Sequence, residues 1–390
     1  MTSVATVPPL VATPRPEGRT RSLLEFALVG GLTPFLYPLS WILRKAFGLE
    51  PTEYIVSFAM FAAAFVINDP HFAVTYFLFY KDVRSRAFGN GFTGWQQIRY
   101  LLAGFVVPIV LIIWGVTALV FRSASSLGVM IQLMFFLVGW HYVKQGFGVF
   151  SVLSARRGVR FDKAERLAIL IHCYAGWAYA WASPRDIGHA AEEKGVWYVT
   201  FAHPRGLEQV TAVLFFASVV PMIFALGGKW KREGKLPIAT PLIALLCSVW
   251  PWLIYSSIDP LLIYVIPALH SIQYLYFVSL LEGNKARQLE GPPHFQRSAK
   301  SRLLGLALAS LGLGWFFFHI GPEIFDTLIG SRLATKQYDP IGPTPCFAAL
   351  FAFVNIHHYC MDAVVWRKEN PETRYLALKF EPQPQPQSQS

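Results

Sequence analysis

The sequence predicts an all-α fold: a polytopic transmembrane helical bundle of about ten spans, with both termini cytoplasmic. Three observations predict it. Charged residues make up 15% of the 390-residue chain and apolar or aromatic residues 54%, whereas soluble domains carry about 25% charge. The mean hydropathy is +0.40. The apolar residues also gather into long runs, each near the ~20 residues that cross a bilayer.

Residues 1–22 are rich in Pro, Thr and Arg. They lack the compact apolar core and small-residue cleavage site of a signal peptide, so they read as a disordered tail. One transmembrane domain follows over 23–368. Its expected spans are 23–43, 54–80, 99–121, 127–153, 164–182, 207–227, 237–257, 261–282, 302–321 and 345–366. Pro34 and Pro38 interrupt the first, and Pro241 and Pro251 the seventh. Membrane helices tolerate such breaks where neighbours satisfy the freed carbonyls. The 183–206 loop is long enough for a short surface helix or a lid. Residues 369–390 end in "EPQPQPQSQS", a low-complexity stretch that reads as a second disordered tail.

The loops orient the chain. Basic residues crowd the loops after spans two, four, six and eight, as in Arg156, Arg157, Arg160 and Lys163. The intervening loops are poorer in Lys and Arg. That alternation places both termini on the cytoplasmic side of a multi-pass membrane protein, the inner membrane if the cell is bacterial. The net charge of +11 is spent in these loops. No basic stripe with interleaved aromatics exists, which excludes a nucleic-acid partner. Cys173, Cys247, Cys346 and Cys360 show no CxxC spacing and read as small apolar core residues.

Function is read from polar residues placed where lipid penalises them. They lie in "NDPHFAVTYF", "GWHYVKQGFG", "LIHCYAGW", "PALHSIQYLYF" and "FVNIHHYCMDAVVWR". His71, His141, His270 and the pair His357–His358 each stand about 8–13 residues before the cytoplasmic end of a span. At ~1.5 Å per residue that is ~12–20 Å, near the middle of a ~30 Å core. His172 falls at a similar level, and His319 lies near the outer edge. Neutral imidazole ligates iron, zinc or copper and adds no buried charge. His71, His141, His270 and His357 are therefore the expected metal ligands, with non-haem Fe(II) first and another divalent metal second. Asp69, His358, His172 and Gln273, with Asn68 and Asn355, are the right types to hold the outer ring nitrogens. The simpler reading of His172 is an interhelical hydrogen bond. Adjacent helical residues point about 100° apart, so His357 and His358 face different neighbours. Asp362 shares a helix face with His358. Pro70 is expected to kink the second span at the site. Tyr274, Lys144 and Asp362 are candidate pocket or catalytic residues. His189, His203 and His294 are loop residues with no special role.

At these stretches the sequence resembles the membrane-embedded β-carotene-cleaving dioxygenases associated with microbial rhodopsins. Pro70-His71 matches the family's early Pro-His step. His141 with "HYVKQGFG", His270-Ser271, and His357 with Asp362 and Arg367 match its later stretches. Tyr274 stands where the family has a further His, and Thr75 where it has an acidic residue. The resemblance implies a helical membrane fold, histidine-bound iron, O2 as co-substrate and a lipid-soluble, carotenoid or isoprenoid-like substrate. The alternative is a transporter or proton-coupled protein that uses Asp69, Lys144, His141 and Asp362 as a relay. A haem-binding or purely structural protein is a third reading. The HxxxH and HxxHH boxes of membrane desaturases are absent.

Overall fold

The computed structural model describes residues 19–182, 188–234, 239–255, 258–259, 261–290, 294–330 and 341–377. The two expected tails lie outside these residues over 1–18 and 378–390. Of the described residues 83% are helical, with almost no sheet. The first apolar run forms α1 (Arg19–Phe26) and α2 (Thr33–Phe47), bent by 64°. Gly30, between them, takes a φ of 107°, which only glycine adopts without strain. Then come α3 (Leu49–Ala64), α4 (Asn68–Tyr80), the short α5 (Val83–Phe88), α6 (Gly94–Leu101) and α7 (Val107–Val120). A short turn leads into α8 (Ala124–Arg156), 33 residues without a break. After α9 (Lys163–Ala182) the chain makes a small hairpin, then α10 (Arg205–Glu233), α11 (Thr240–Val249) and α12 (Leu262–Glu290). α13 (Ala299–Trp315) runs on through a wide turn into α14 (Gly321–Phe325). α15 (Pro345–Val365) and the short α16 (Arg374–Ala377) complete the chain.

Among the described residues, seven helical stretches are long and apolar enough to cross a membrane, or eight if the bent α1–α2 pair is one span. The seven are Leu49–Tyr80, Gly94–Val120, Ala124–Arg156, Gly206–Glu233, Leu262–Glu290, Ala299–Ile329 and Pro345–Val365. Two further runs that the sequence marks as apolar are also helical. One, Thr240–Ile254, is shorter. The other, α9, opens with Lys163, Glu165 and Arg166. The outer faces are greasy: Ile109, Val110, Ile113 and Val116 on α7 and Val213, Phe216, Val220 and Phe224 on α10 are exposed. So large an apolar surface suits hydrocarbon rather than water.

α15 is the most enclosed of the seven, with 67% of its apolar window buried. It packs against α4, α7 and α8, so its polar residues must find partners inside the bundle. Glycines let the neighbours close in. A Cβ on Gly314 would stand 2.7 Å from the Asp69 carbonyl carbon, so α13 lies directly against the start of α4. A Cβ on Gly146 would stand 2.4 Å from the Ser248 side chain, where α11 crosses α8.

Near the end where α12 and α15 finish, ion pairs fix the rim. Glu372 bonds Arg86 at 3.0 Å and also Lys285. Tyr375 and Leu376 of α16 are buried beside α12, so the chain stays ordered to Ala377. In the 183–206 loop the described residues between α9 and α10 form no surface helix. They make an antiparallel hairpin, Ala190–Glu193 with Val196–Val199. Lys194 and Gly195 both have positive φ, 51° and 82°, as a two-residue turn of this hand requires. Tyr198 anchors the hairpin over Gly128 of α8, where a side chain would collide with it.

Candidate metal centre

The break between α3 and α4 builds the first part of the site. The helix stops at Ala64 and restarts at Asn68, so the expected irregularity near Pro70 is a three-residue break just before it, within the one Leu49–Tyr80 span. Pro70 falls in the first turn of α4, where a missing N–H costs nothing. His71 follows it and points inward, 1% exposed.

Four imidazoles from four helices meet there: His71 of α4, His141 of α8, His270 of α12 and His358 of α15. The His71 ring centroid lies 4.5 Å from that of His358, 5.1 Å from His270 and 6.3 Å from His141. His141 lies 4.8 Å from His270 and 4.9 Å from His358. One nitrogen each from His71, His141 and His358 falls within 4.8 Å of the other two, a spacing that could hold a metal ion. His270 joins the group through a 3.0 Å contact between its Nε2 and that of His141.

Hydrogen-bond accounting fixes the state of one ring. The Ser271 hydroxyl donates to Asn68 Oδ1 at 2.8 Å. Its oxygen also lies 3.2 Å from His71 Nδ1. A serine has one hydrogen, already committed to Asn68, so His71 Nδ1–H must donate to Ser271. The lone pair of His71 is therefore on Nε2, and that atom is buried without a partner. Both ring nitrogens of His358 and Nδ1 of His270 are likewise buried and unpartnered. Each such group costs about 1–3 kcal/mol. A divalent cation would take up the lone pair of His71 Nε2 and one of the two His358 nitrogens. Two nitrogens bound at right angles, each about 2.0–2.1 Å from an ion, stand about 3 Å apart, as those of His141 and His270 do. The donor set thus fits a borderline metal such as iron or zinc.

Asp362 borders the cluster. Its Oδ2 is 3.5 Å from His358 Nε2 and 3.7 Å from His141 Nε2. Tyr274 donates to its Oδ1 at 2.7 Å. The Thr75 hydroxyl lies 2.6 Å from the Tyr274 oxygen and 3.4 Å from Asp362 Oδ1. Thr75 and Tyr274, the two positions that depart from the dioxygenase pattern, are therefore bonded to each other, and their chain ends on the carboxylate beside the histidines.

The remaining expected residues lie elsewhere. His357 is corrected as a ligand: its Nδ1 meets the Tyr76 hydroxyl at 3.1 Å and its Nε2 the Ala103 carbonyl at 3.1 Å. It faces α4 and the α6–α7 junction, one helical step away from the cluster, and His358 is the member of the pair that faces the other rings. His172 bonds Ser218 at 3.0 Å and accepts from Trp250 at 3.1 Å. That is the interhelical bond, remote from the other rings. Asp69 bonds His319 at 2.8 Å rather than any of the four imidazoles. Gln273 donates to the Val29 carbonyl and accepts from Gln145, both at 2.8 Å, so it ties α12 to the first segment. Asn355 accepts from Tyr359 at 3.0 Å. Lys144 pairs with neither Asp69 nor Asp362, and lines a cavity instead.

Two tyrosines were missed. Tyr142 lies over His270 at 4.2 Å, and Tyr359 stacks on His141 at 4.8 Å. The signal was present: "HY" occurs at His141-Tyr142 and again at His358-Tyr359, which singles out His358 over His357.

The cavity, about 400 Å³, runs from His141, Tyr274, Tyr359 and Asp362 toward the ends of α8 and α15. Trp140, Phe147, Val152 and Phe277 are among its apolar walls. Its size is ordinary for a small-molecule site. No family model, curated protein or solved structure significantly matches the chain.

Proposed function

We propose that the protein is an intramembrane metalloenzyme, a non-haem iron oxygenase acting on a lipid-soluble substrate with O2. The observation that carries this reading is the convergence of four buried imidazoles, three of them with unpartnered nitrogens, beside a cavity that His141 lines. His71, His141, His270 and His358 would hold the metal, and another divalent ion fits the same donors. When bound, iron in such a site supplies oxygen activation. The chain's own residues do the rest. Ser271 and Asn68 lock the His71 tautomer. Tyr359 and Tyr142 fix the planes of His141 and His270. Asp362, polarised by Tyr274 and Thr75, can hold a proton at Oδ2 beside the cluster. The apolar walls exclude water and accept a hydrocarbon chain. In this reading the helices traverse the membrane about ten times, the ends of α8 and α15 face the cytoplasm, and the resemblance to the carotene-cleaving dioxygenases reflects a shared site.

The 3.0 Å contact between His141 and His270 also suits a proton relay ending on Asp362, as in a proton-coupled carrier. Metal analysis separates the two. The oxygenase reading expects stoichiometric iron in purified protein and its loss in a His71→Ala, His270→Ala double variant. Metal-free protein that moves protons in liposomes would support the relay instead.

A further inference from the structure

Lys144 has no use in the site as described. It lies on α8, one turn beyond His141, half-buried in the cavity wall. Among the described residues no carboxylate stands within ion-pair distance of its ammonium. A cation in a cavity wall with no counter-charge leaves its charge free to pair with an anionic ligand. The same cavity carries Arg166, Arg367 and Lys368 where it opens past the ends of α8 and α15. Glu369 is the one acid at this mouth, and it already pairs with Arg367 at 3.4 Å. Most of the other lining residues, such as Trp140, Phe147, Val152 and Phe277, are apolar, with Gln145 and Gln273 among them, and Asp362 and His141 sit at the far end.

We infer that the cavity binds an amphiphile with an anionic head, a carboxylate or phosphate, held by Lys144, Arg367 and the basic mouth, while its hydrocarbon chain extends to the histidine cluster. This rests on the oxygenase reading only for what happens to the chain; the binding preference stands apart from it. The long stem of Lys144 packs along the apolar wall and delivers its charge toward the opening, as lysines do at membrane interfaces. Arg367 offers a planar fork suited to an oxyanion. A neutral hydrocarbon such as a carotene would leave Lys144 without a partner in the same cavity. The substrate class therefore differs from the one the family resemblance suggests: a fatty acid or a lipid phosphate rather than an uncharged polyene.

The test is equilibrium binding to the full chain in detergent micelles, read by the fluorescence of Trp140 and Trp366, which line the cavity. The probes are dodecyl phosphate, dodecanol and inorganic phosphate, each with metal-loaded and chelator-treated protein. Dodecyl phosphate should bind about tenfold or more tightly than dodecanol, the range expected for hydrogen bonds to a charged group. Inorganic phosphate should bind weakly. A Lys144→Gln, Arg367→Gln double variant should reduce the preference to about twofold or less, and Lys144→Arg should keep it. Equal binding of dodecanol and dodecyl phosphate overturns the inference, as does a preference that survives the double variant. Inorganic phosphate binding as tightly as the amphiphile reduces the site to an anion site and also overturns it. A preference seen in protein that binds no metal supports this inference while refuting the oxygenase reading. Metal binding without a preference does the reverse.

Discussion

Replacing each member of the adjacent pair His357–His358 by leucine should give opposite results. His358 makes no hydrogen bond through either ring nitrogen, although it is fully buried. In metal-free protein His358→Leu therefore loses no hydrogen bond, only the 3.5 Å contact to Asp362, and removes two buried polar atoms that cost about 1–3 kcal/mol each when unpartnered. Its unfolding temperature should be unchanged or higher. Its metal affinity should fall more than the roughly 10–100-fold that losing a mere supporting contact costs, because a ligand itself is gone. His357→Leu breaks the bonds to Tyr76 and to the Ala103 carbonyl. At about 0.5–1.5 kcal/mol per bond, with a buried carbonyl left unmatched, it should cost roughly 1–3 kcal/mol. Its metal content should stay that of the parent. The assay is metal per chain by mass spectrometry, paired with thermal unfolding of chelator-treated protein in the same detergent. Loss of metal in His357→Leu with full metal in His358→Leu would refute the site drawn here.

Other perturbations follow from the same contacts. Asp362→Asn keeps the shape but removes the ionisable carboxyl 3.5 Å from His358; metal affinity should drop about 10–100-fold in a chelator competition. Tyr274→Phe removes the 2.7 Å bond to Asp362 and should lower stability by about 1–3 kcal/mol while leaving metal stoichiometry intact. Gly314→Ala drives a methyl into the Asp69 backbone, so α13 must back away from α4. The unfolding temperature should fall by the equivalent of about 1–3 kcal/mol. At the rim, burial raises the Glu372 carboxyl, but Lys285, Arg86 and Lys81 outweigh it and hold it below the ordinary 4.5. A depressed carboxylate stabilises the fold above its unfolded pKa, and that contribution is lost as pH falls through the depressed value. Stability measured downward from about pH 4.5 should therefore fall less steeply in Glu372→Gln than in the parent.

The apolar runs were legible because hydrocarbon penalises every polar group that does not pair, so length and composition alone mark the helices. The histidine level was legible for the same reason: His71, His141 and His270 stand out against Leu and Phe. Rotation about a helix axis was not. His357 and His358 differ by one residue, and only the packing of α15 against α4 and α8 decides which faces the cluster. The partner of Asp69 was hidden because α13 brings His319 alongside it by a close approach at Gly314, some 245 positions away in sequence. The hairpin at 190–199 carried its signal in Lys194-Gly195, a turn pair too short to outweigh the charged loop around it. Lys144 stands out as a charge close to His141, but its lack of a carboxylate partner needed coordinates.

The central claim is that His71, His141, His270 and His358 share one ion. The most direct measurement is X-ray absorption at the metal edge of iron-loaded protein, with the His358→Leu variant alongside. Three or four imidazole nitrogens at about 2.0–2.2 Å, one fewer in the variant, are the expected result. An oxygen-only shell that His358→Leu leaves unchanged would contradict it.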